Sequence, residues 1–455
     1  LPTEQSLGVD VDGDGTIEAT VISIDARGFT RDVDVPGVGG TPDLGAFETQ
    51  LISTPGPDIL LGTPGPDLLL ADQGVDLALS EDGNDGIFFG PSFSEATVLD
   101  AGDGDQDQVG LQGDYSDGIT FGSQSAEGVE AFVLLPGSNT SFGAPGTEFY
   151  DYNFTLVDDN IGANQALGFQ ANTLRVGEDF TLDASAETDG LIFTFGGLGN
   201  ESVTGSDNDD GFFFGTGFFG SGDQLDGHLG MFDSVGLQGD YSAPLVIGPN
   251  QFVSIELLVL LSSTDARFGA GSSSLFSYDV SMDDGNVASG QSMTISANTL
   301  IAGETFTFDG SAETDGFFLI FSGDGNDTIS GSQGGDTIFG RGGVDTMTGN
   351  GGDDVFLYTD VSESAPSGPD VITDFTTGDM ISLSDIDANT GVTGDQAFSF
   401  IGAAAFTAAG QLRAVNTSGN DWTVEGDVDG DGIADLQIQV TTSDGSPLDA
   451  ADFVL

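Results

Sequence analysis

The sequence predicts an all-β protein made of parallel β-roll or β-solenoid segments and tandem β-rich repeat modules. Three observations support this fold class: Gly-x-Asp recurs every nine residues in two stretches, longer motifs recur at a fixed spacing, and the apolar runs are short and rich in Val, Ile and Phe. Fixed internal repeats are typical of solenoids. Short apolar runs bounded by glycine are typical of strands.

The most regular nine-residue repeat runs from Gly323 to Phe356. Its aspartates each lie two residues after a glycine: Asp327, Asp336, Asp345 and Asp354. The large apolar positions that follow them are Ile329, Ile338, Met347 and Phe356. In a unit of the form GGxGxDxUx, the glycines permit a tight turn and U is the inward residue of a short strand. Each unit is then half a coil, and aspartates two units apart lie in stacked turns. A hard cation with oxygen ligands relieves their repulsion, and calcium fits best.

A second array, within residues 51–90, keeps the same interval. Its aspartates are Asp58, Asp67, Asp76 and Asp85, and its apolar positions are Leu60, Leu69, Ala78 and Ile87. The array departs further from the pattern, because its units open with Gly62-Thr63, Ala71-Asp72 and Ser80-Glu81 instead of paired glycines. Calcium sites are predicted here as well, and the alternative is an acidic, glycine-rich loop without metal. A shorter, more degenerate array lies between the two and contains Glu201 and Asp210.

A longer repeat encloses these arrays. The motif VGLQGDYS begins at Val109 and again at Val235, 126 residues later, and SAETDG and ANTL recur at the same spacing. The chain therefore holds two tandem modules, at about residues 84–209 and 210–335. The downstream array, residues 321–358, overlaps the end of the second module.

Composition limits the partners of this chain. It carries 75 acidic residues against 6 arginines and no lysine, a formal charge of −69, and so repels nucleic acid and anionic membranes. Disorder is the alternative for such acidity, but 38% hydrophobic residues and 35 phenylalanines favour a folded chain whose charge is offset by cations. The absence of cysteine excludes disulfides and zinc–thiolate sites. The longest apolar run, Ile255–Leu261, is too short to span a membrane, so no membrane insertion is expected.

The residue types also argue against an enzyme. His228 is the single histidine, whereas a zinc-protease helix needs at least two, and the absence of lysine excludes Schiff-base chemistry. His228 lies in the loop-like stretch LDGHLGMF without a nucleophile elbow, which favours a solvated loop residue. A carboxylate pair for glycoside hydrolysis stays open, because acids are abundant.

The stretch Gly323–Phe356 resembles the calcium-binding nonapeptide array of RTX proteins. The resemblance implies a parallel β-roll in which Asp327 pairs with Asp345, and Asp336 with Asp354, across calcium ions. By the same rule Asp58 pairs with Asp76, and Asp67 with Asp85. The two long modules resemble, more loosely, linker modules found between RTX arrays in large secreted proteins.

Residues 359–455 resemble the serralysin-type C-terminal domain. The matching stretches include DVITDFTTGDMISLSDID, DVDGDGIADLQIQV and the final Asp452–Leu455. The resemblance implies an uncleaved type I export signal, and therefore a protein secreted to the exterior or cell surface of a Gram-negative bacterium. The first residues lack a basic region and an apolar core, so no signal peptide is predicted, which agrees with type I export because such export needs none.

An EF-hand-like loop lies within this region. Asp427, Asp429, Asp431 and Asp435 occupy its positions 1, 3, 5 and 9. Position 12 is Ile438 instead of glutamate, so the loop is truncated. The sequence predicts a further metal site here, with a bare acidic turn as the alternative. Asp10, Asp12 and Asp14 repeat the pattern more weakly.

Residues 1–50, and Asp25–Glu48 above all, resemble the last coil of a right-handed parallel β-helix of bacterial surface proteins. Together these features predict an extracellular, calcium-stabilised structural or adhesive protein, such as a surface-layer, filament or matrix subunit, that self-associates. The alternative is the C-terminal secretion and stability portion of a larger secreted enzyme, such as a polysaccharide-degrading β-helix.

Overall fold

The computed structural model describes residues 7–9, 19–21, 49–53, 58–71, 75–142, 146–266 and 272–455. They belong to two compact units, Leu1–Asp233 and Ser234–Leu455. The predicted all-β class is confirmed, because the described residues form strands and only three short 3-10 helices, Asp158–Asn160, Val361–Ser364 and Ala450–Asp452. None of the helices in this part of the chain has the length and apolar character needed to cross a membrane.

The first unit contains eighteen described strands. In chain order they are β1 (Leu7–Val9), β2 (Ala19–Val21), β3 (Thr49–Ile52), β4 (Asp58–Leu61), β5 (Asp67–Ala71), β6 (Val75–Leu79), β7 (Gly86–Phe89), β8 (Val98–Asp100), β9 (Gln108–Leu111), β10 (Tyr115–Thr120), β11 (Ala131–Leu134), β12 (Tyr152–Thr155), β13 (Ala166–Gln170), β14 (Phe180–Asp183), β15 (Leu191–Phe195), β16 (Glu201–Thr204), β17 (Gly211–Gly215) and β18 (Gln224–Asp226). Their orders within the unit are β1-β2-β4-β6-β8, β3-β5-β7-β9-β11-β13-β15-β17 and β10-β12-β14-β16-β18. From β3 onward successive strands alternate between sheets, which is the winding of a β-solenoid.

The second unit contains nineteen described strands. They are β19 (Ser234–Gln238), β20 (Tyr241–Ile247), β21 (Phe252–Val253), β22 (Leu257–Leu261), β23 (Tyr278–Met282), β24 (Ser292–Ser296), β25 (Phe306–Asp309), β26 (Phe317–Phe321), β27 (Thr328–Ser330), β28 (Thr337–Phe339), β29 (Thr346–Thr348), β30 (Val355–Leu357), β31 (Asp370–Phe375), β32 (Met380–Ser382), β33 (Ser399–Phe400), β34 (Gln411–Ser418), β35 (Asp421–Asp427), β36 (Leu436–Thr442) and β37 (Phe453–Val454). One sheet has the order β19-β22-β24-β26-β28-β30-β32-β37, and the other has the order β20-β23-β25-β27-β29-β31-β36-β35-β34-β33.

The pairing register matches the nine-residue repeat. Thr328 pairs in parallel with Thr346, and Thr337 with Val355, so two nonapeptides make one coil of 18 residues. The apolar positions predicted to point inward are all at most 2% exposed: Leu60, Leu69, Ala78, Ile87, Ile329, Ile338, Met347 and Phe356. The core of each coil therefore lies between two parallel sheets. In the second unit, the ring of Phe308 on β25 meets that of Phe318 on β26 at a centroid distance of 5.1 Å.

The two long modules repeat one local structure. The Tyr152 hydroxyl donates to the Leu135 carbonyl oxygen at 2.6 Å, and the Tyr278 hydroxyl donates to the Leu261 carbonyl oxygen at 2.6 Å. Both rings are buried, so each hydroxyl needs such an acceptor. Each module thus has longer coils, with loops where the nonapeptide arrays have tight turns.

The C-terminal end changes from parallel to antiparallel pairing. Strands β34, β35 and β36 form an antiparallel meander, and β36 pairs in parallel with β31. The last strand, β37, pairs with β32, where Phe453 lies opposite Ile381. The final Asp452–Leu455 motif is therefore attached to the end of the β-roll.

Candidate metal centre

Each of the four aspartates of the downstream array is the last residue of a glycine-rich turn. Each precedes a strand of three residues, β27 to β30, and all four are at most 2% exposed: Asp327, Asp336, Asp345 and Asp354. Acids are seldom buried without a partner. The sequence places them there because the glycine-rich turn brings the chain back sharply to the next strand.

The predicted pairs are brought together by hydrogen bonds. The backbone N–H of Asp327 donates to Oδ1 of Asp345, and that of Asp336 to Oδ1 of Asp354, both at 2.8 Å. One oxygen of each later carboxylate thus holds the preceding coil. We call this arrangement, in which a backbone N–H meets the acid one coil later, the acid ladder.

The ladder continues beyond the array. The N–H of Asp345 donates to Oδ1 of Asp370, and that of Asp354 donates to Oδ1 of Asp379, both at 2.9 Å. The ladder ends at Asp370 and Asp379, because their own N–H groups donate to acceptors nearby in the chain. The Asp370 N–H donates to Oγ of Ser364 at 2.9 Å, and the Asp379 N–H donates to the carbonyl oxygen three residues before it, at 3.2 Å. The last two acids therefore complete the ladder without needing a further coil.

The second carboxylate oxygens are not satisfied in the same way. Oδ2 of Asp345 and Oδ2 of Asp370 are buried and, among the described residues, have no hydrogen-bond partner. Burial, aided by the charge of Asp370, raises the pKa of Asp345 to about 9. Burial also raises the pKa of Asp370 and of Asp354 to about 7. A buried carboxylate with a free oxygen is unfavourable unless it takes a proton or a cation, so these residues fit calcium.

The first glycine of each unit leaves room for its aspartate. A Cβ on Gly331 would lie 2.2 Å from Oδ2 of Asp336, and one on Gly349 would lie 2.1 Å from Oδ2 of Asp354. The carboxylate therefore packs against the turn of its own unit. Ser80 opens the corresponding unit upstream, and its hydroxyl donates to the carbonyl oxygen of Ala101 at 3.0 Å.

Gly331→Ala is expected to lower the melting temperature in calcium, because the new methyl group displaces the Asp336 carboxylate. Overlaps of this kind typically cost about 1–3 kcal/mol. Gly220→Ala is the control, since a Cβ at Gly220 meets no atom within 4 Å. Differential scanning calorimetry of both variants in calcium gives the comparison. Equal melting temperatures would show that the turn does not hold the carboxylate in place.

The upstream array carries the same ladder. The N–H of Asp67 donates to Oδ1 of Asp85 at 2.7 Å, and that of Asp85 donates to Oδ1 of Asp107 at 2.6 Å. Among the described residues, Oδ2 of Asp85 and Oδ2 of Asp107 lack partners, and burial raises their pKa to about 6 and about 7. Asp58 is buried at the start of β4. The side chain of its predicted partner Asp76 lies outside the described residues.

The degenerate middle array also joins the ladder. The N–H of Asp210 donates to Oδ1 of Asp233 at 2.6 Å, and that of Glu201 donates to Oδ1 of Asp223 at 2.8 Å. Burial raises the pKa of Glu201 to about 9. Sequence reasoning did not single out Asp223 or Asp233, because their spacing breaks the interval of nine.

Other ladder residues were also missed: Asp107, Asp370 and Asp379. One of them left a usable signal, since Gly368-Pro369-Asp370 keeps the Gly-x-Asp pattern at the wrong interval. The insertion before it contains a 3-10 helix, Val361–Ser364. The connection before Asp370 is therefore longer than in a nonapeptide unit, which breaks the nine-residue interval, but Asp370 keeps the same position in its coil.

The EF-hand-like loop is only partly assembled. Asp427, Asp429 and Asp435 bring one carboxylate oxygen each within 4.8 Å of one another, whereas Asp431 does not join them. Asp427 is buried, and its two oxygens accept from the N–H groups of Gly430 at 2.6 Å and Gly432 at 3.0 Å. Three of the four predicted ligands thus form a compact oxygen cluster that suits a hard cation.

Two further predictions concern residues elsewhere in the chain. His228 lies 3.3 Å from a carboxylate oxygen of Asp207, and both side chains are 31% exposed, as expected for a loop histidine. The proposed β-helix coil at Asp25–Glu48 and the acids Asp10, Asp12 and Asp14 lie outside the described residues.

Two comparisons identify these parts of the chain. Residues 306–455 match the peptidase M10 serralysin C-terminal family, and residues 52–87 match the RTX calcium-binding nonapeptide repeat, in four copies. The first match covers the downstream array and the C-terminal meander, and the second covers the upstream array. No curated protein matches the chain. RTX repeats of this kind bind Ca²⁺.

Proposed function

Since this chain is a calcium-binding secreted protein with RTX nonapeptide repeats and a serralysin-type C-terminal domain, we propose that it is a structural or adhesive subunit outside the cell. A surface layer, a filament or a matrix is the setting we infer. The serralysin-type domain suggests export by a type I system of a Gram-negative bacterium.

The observation that carries this proposal is that the buried acids accept hydrogen bonds from backbone N–H groups. The carboxylates of Asp85, Asp210, Asp345 and Asp354 each accept an N–H from the preceding coil. A general acid or base must instead face a substrate. The acids of this solenoid therefore hold coils together, which is the chemistry of a scaffold.

An apolar loop in the first unit supports self-association. Leu229, Met231 and Phe232 are 63%, 72% and 66% exposed, and the N–H groups of the latter two donate to Oδ1 of Asp209. The loop is thus held in place while it presents three large apolar side chains to solvent. We infer that a second copy of this chain covers them. By contrast Phe212, Phe214 and Phe219 are buried, and Phe213 and Phe218 are half-buried.

Charge sets the condition for assembly. A formal charge of −69 opposes the approach of two copies at low ionic strength. Calcium neutralises buried carboxylates and screens exposed ones, so it lowers this repulsion. Assembly outside the cell, where calcium is abundant, follows from this arrangement.

Light scattering and electron microscopy across a calcium titration test the proposal. We expect monomers at low calcium and growing assemblies at millimolar calcium. The double variant Met231→Ser/Phe232→Ser should need more calcium or protein to assemble. Val176→Ser, which changes an isolated side chain that is 71% exposed, is the control. A protein that stays monomeric at millimolar calcium and high concentration would favour the alternative, the secretion and stability portion of a larger enzyme.

A further inference from the structure

Three acids of the second module form a cluster outside the nonapeptide arrays. Asp284, Glu313 and Asp315 bring one carboxylate oxygen each within 4.8 Å of one another. We call them the module triad. They lie in two loops of the solenoid, after β23 and between β25 and β26. Neither loop has the nine-residue interval, so the triad lies outside the nonapeptide arrays.

Glu313 is the buried member of the triad. Its Oε1 accepts from the N–H groups of Asp315 at 3.1 Å and Gly316 at 2.9 Å. The residue is 0% exposed, and Oε2 has no hydrogen-bond partner among the described residues. A fully buried carboxylate with a free oxygen, placed beside two further carboxylates, is unfavourable unless a cation joins them.

The other two acids are fixed and open to solvent. Oδ1 of Asp284 accepts from the N–H of Thr314 at 3.1 Å and from its hydroxyl at 2.9 Å. Asp284 and Asp315 are both exposed. Among the described residues, no arginine forms an ion pair with the triad. A hydrated ion therefore has access to the cluster, and no basic side chain competes with it.

We propose that Asp284, Glu313 and Asp315 form a divalent-cation site that takes Ca²⁺. All three donors are carboxylate oxygens, one is buried and two face water, and calcium accepts such a set together with water ligands. The Glu313 carbonyl oxygen accepts from the N–H of Gln333 at 2.9 Å, so the loop stacks on the turn that precedes Asp336 in the downstream array. The site extends calcium binding from the array into the module.

The first module carries the same residues 126 positions earlier, at Asp158, Glu187 and Asp189. The N–H of Thr188 donates to Asp158 at 2.9 Å, and Oε2 of Glu187 is again buried without a partner among the described residues. The three carboxylates are not gathered within the same distance there. The proposal therefore concerns the second module only.

Counting bound calcium on the full chain tests the site. Equilibrium dialysis at saturating free calcium, followed by metal analysis, should find one ion fewer for Glu313→Gln and for the double variant Asp284→Asn/Asp315→Asn. Asp309→Asn is the matched control, because Asp309 is exposed, ends strand β25 just before the loop of Glu313 and is not in the triad. It should bind as many ions as the parent.

The two variants separate a lost site from a lost fold. Loss of several ions together with the β-sheet spectrum in Glu313→Gln would mean that the variant misfolds, and the double variant then decides, since both of its residues are exposed. A double variant that keeps the parent ion count would overturn the proposal. Loss of one ion with an unchanged circular dichroism spectrum supports it.

Discussion

Exhaustive removal of calcium is expected to unfold the downstream β-roll, residues 321–358, and the C-terminal meander stacked on it. Without a cation, the buried carboxylates of Asp345, Asp354 and Asp370 either repel one another or must take up protons. Metal binding and folding are then coupled, as in other small metal-stabilised units. Circular dichroism of calcium-free and calcium-restored protein measures the change. An unchanged spectrum and melting temperature after exhaustive chelation would contradict the coupling.

Asp345→Asn sharpens this test because its effect should reverse with calcium. In calcium the variant loses a ligand, and one lost site removes about 2.7 kcal/mol when free calcium is 100 times Kd. For a unit of this size that corresponds to a melting temperature lower by about 5–10 °C. Without calcium the asparagine removes the need to protonate a buried carboxylate, so the variant should melt at the same or a higher temperature than the parent.

Asp353→Asn is the matched control for this experiment. Asp353 precedes the ladder residue Asp354 in the same array and is exposed, so the charge change is the same without loss of a buried ligand. Its melting temperature should follow the parent in both conditions. Equal effects of the two variants would mean that overall charge, and not the ladder, governs stability.

The pH dependence of stability is expected to differ in sign with and without calcium. Burial raises the pKa of Asp345 in the folded state to about 9, above the ordinary aspartate value of 3.8. Without calcium, the protonated Asp345 side chain therefore contributes fully to the stability of the fold below about pH 4. That stabilisation is lost as the pH rises through about 9. Calcium binds the ionised form, so its affinity rises over the same range. The stabilisation by calcium should thus grow with pH.

Thermal scans of calcium-depleted and calcium-saturated protein at several pH values measure this difference. Repulsion among surface acids also grows with pH, but salt screens it. The loss of stability that comes from ionising the buried Asp345 carboxyl persists at high salt. Asp345→Asn should reduce the dependence of the calcium-free protein on pH, and Asp353→Asn should not. A calcium-free melting temperature that rises with pH would refute the assignment of the raised pKa.

The sequence predicts the arrays well because their geometry is local. A turn built on Gly331 and a strand centred on Ile338 repeat within nine residues, so one period sets the coil, the inward side chain and the acid position. The acids Asp327 and Asp336 lie in that period, and their pairing with Asp345 and Asp354 follows from stacking two units per coil.

The remaining site residues could not be predicted, since they depend on where longer connections return to the solenoid. Asp370 reaches the ladder after an insertion with a 3-10 helix, and Asp223 after a register of 22 residues. Glu313 is brought to Asp284 from a loop 29 positions away in sequence. In the EF-hand-like loop the spacing of Asp431 is correct, but its Oδ1 accepts from the N–H of Ile433 at 2.8 Å.

Because the acid ladder stops at Asp370 and Asp379, the β-roll has a preferred direction of folding. Every rung joins an N–H to an acid that comes later in the chain, whereas Asp370 and Asp379 have their own N–H groups satisfied by neighbours within six residues. In the downstream ladder, the C-terminal coil is therefore the one whose own N–H groups at these positions are satisfied locally. Each earlier coil finds its acceptors already in place once the later coil has formed. Nucleation is expected at the C-terminal end, with coils added in the order opposite to the sequence.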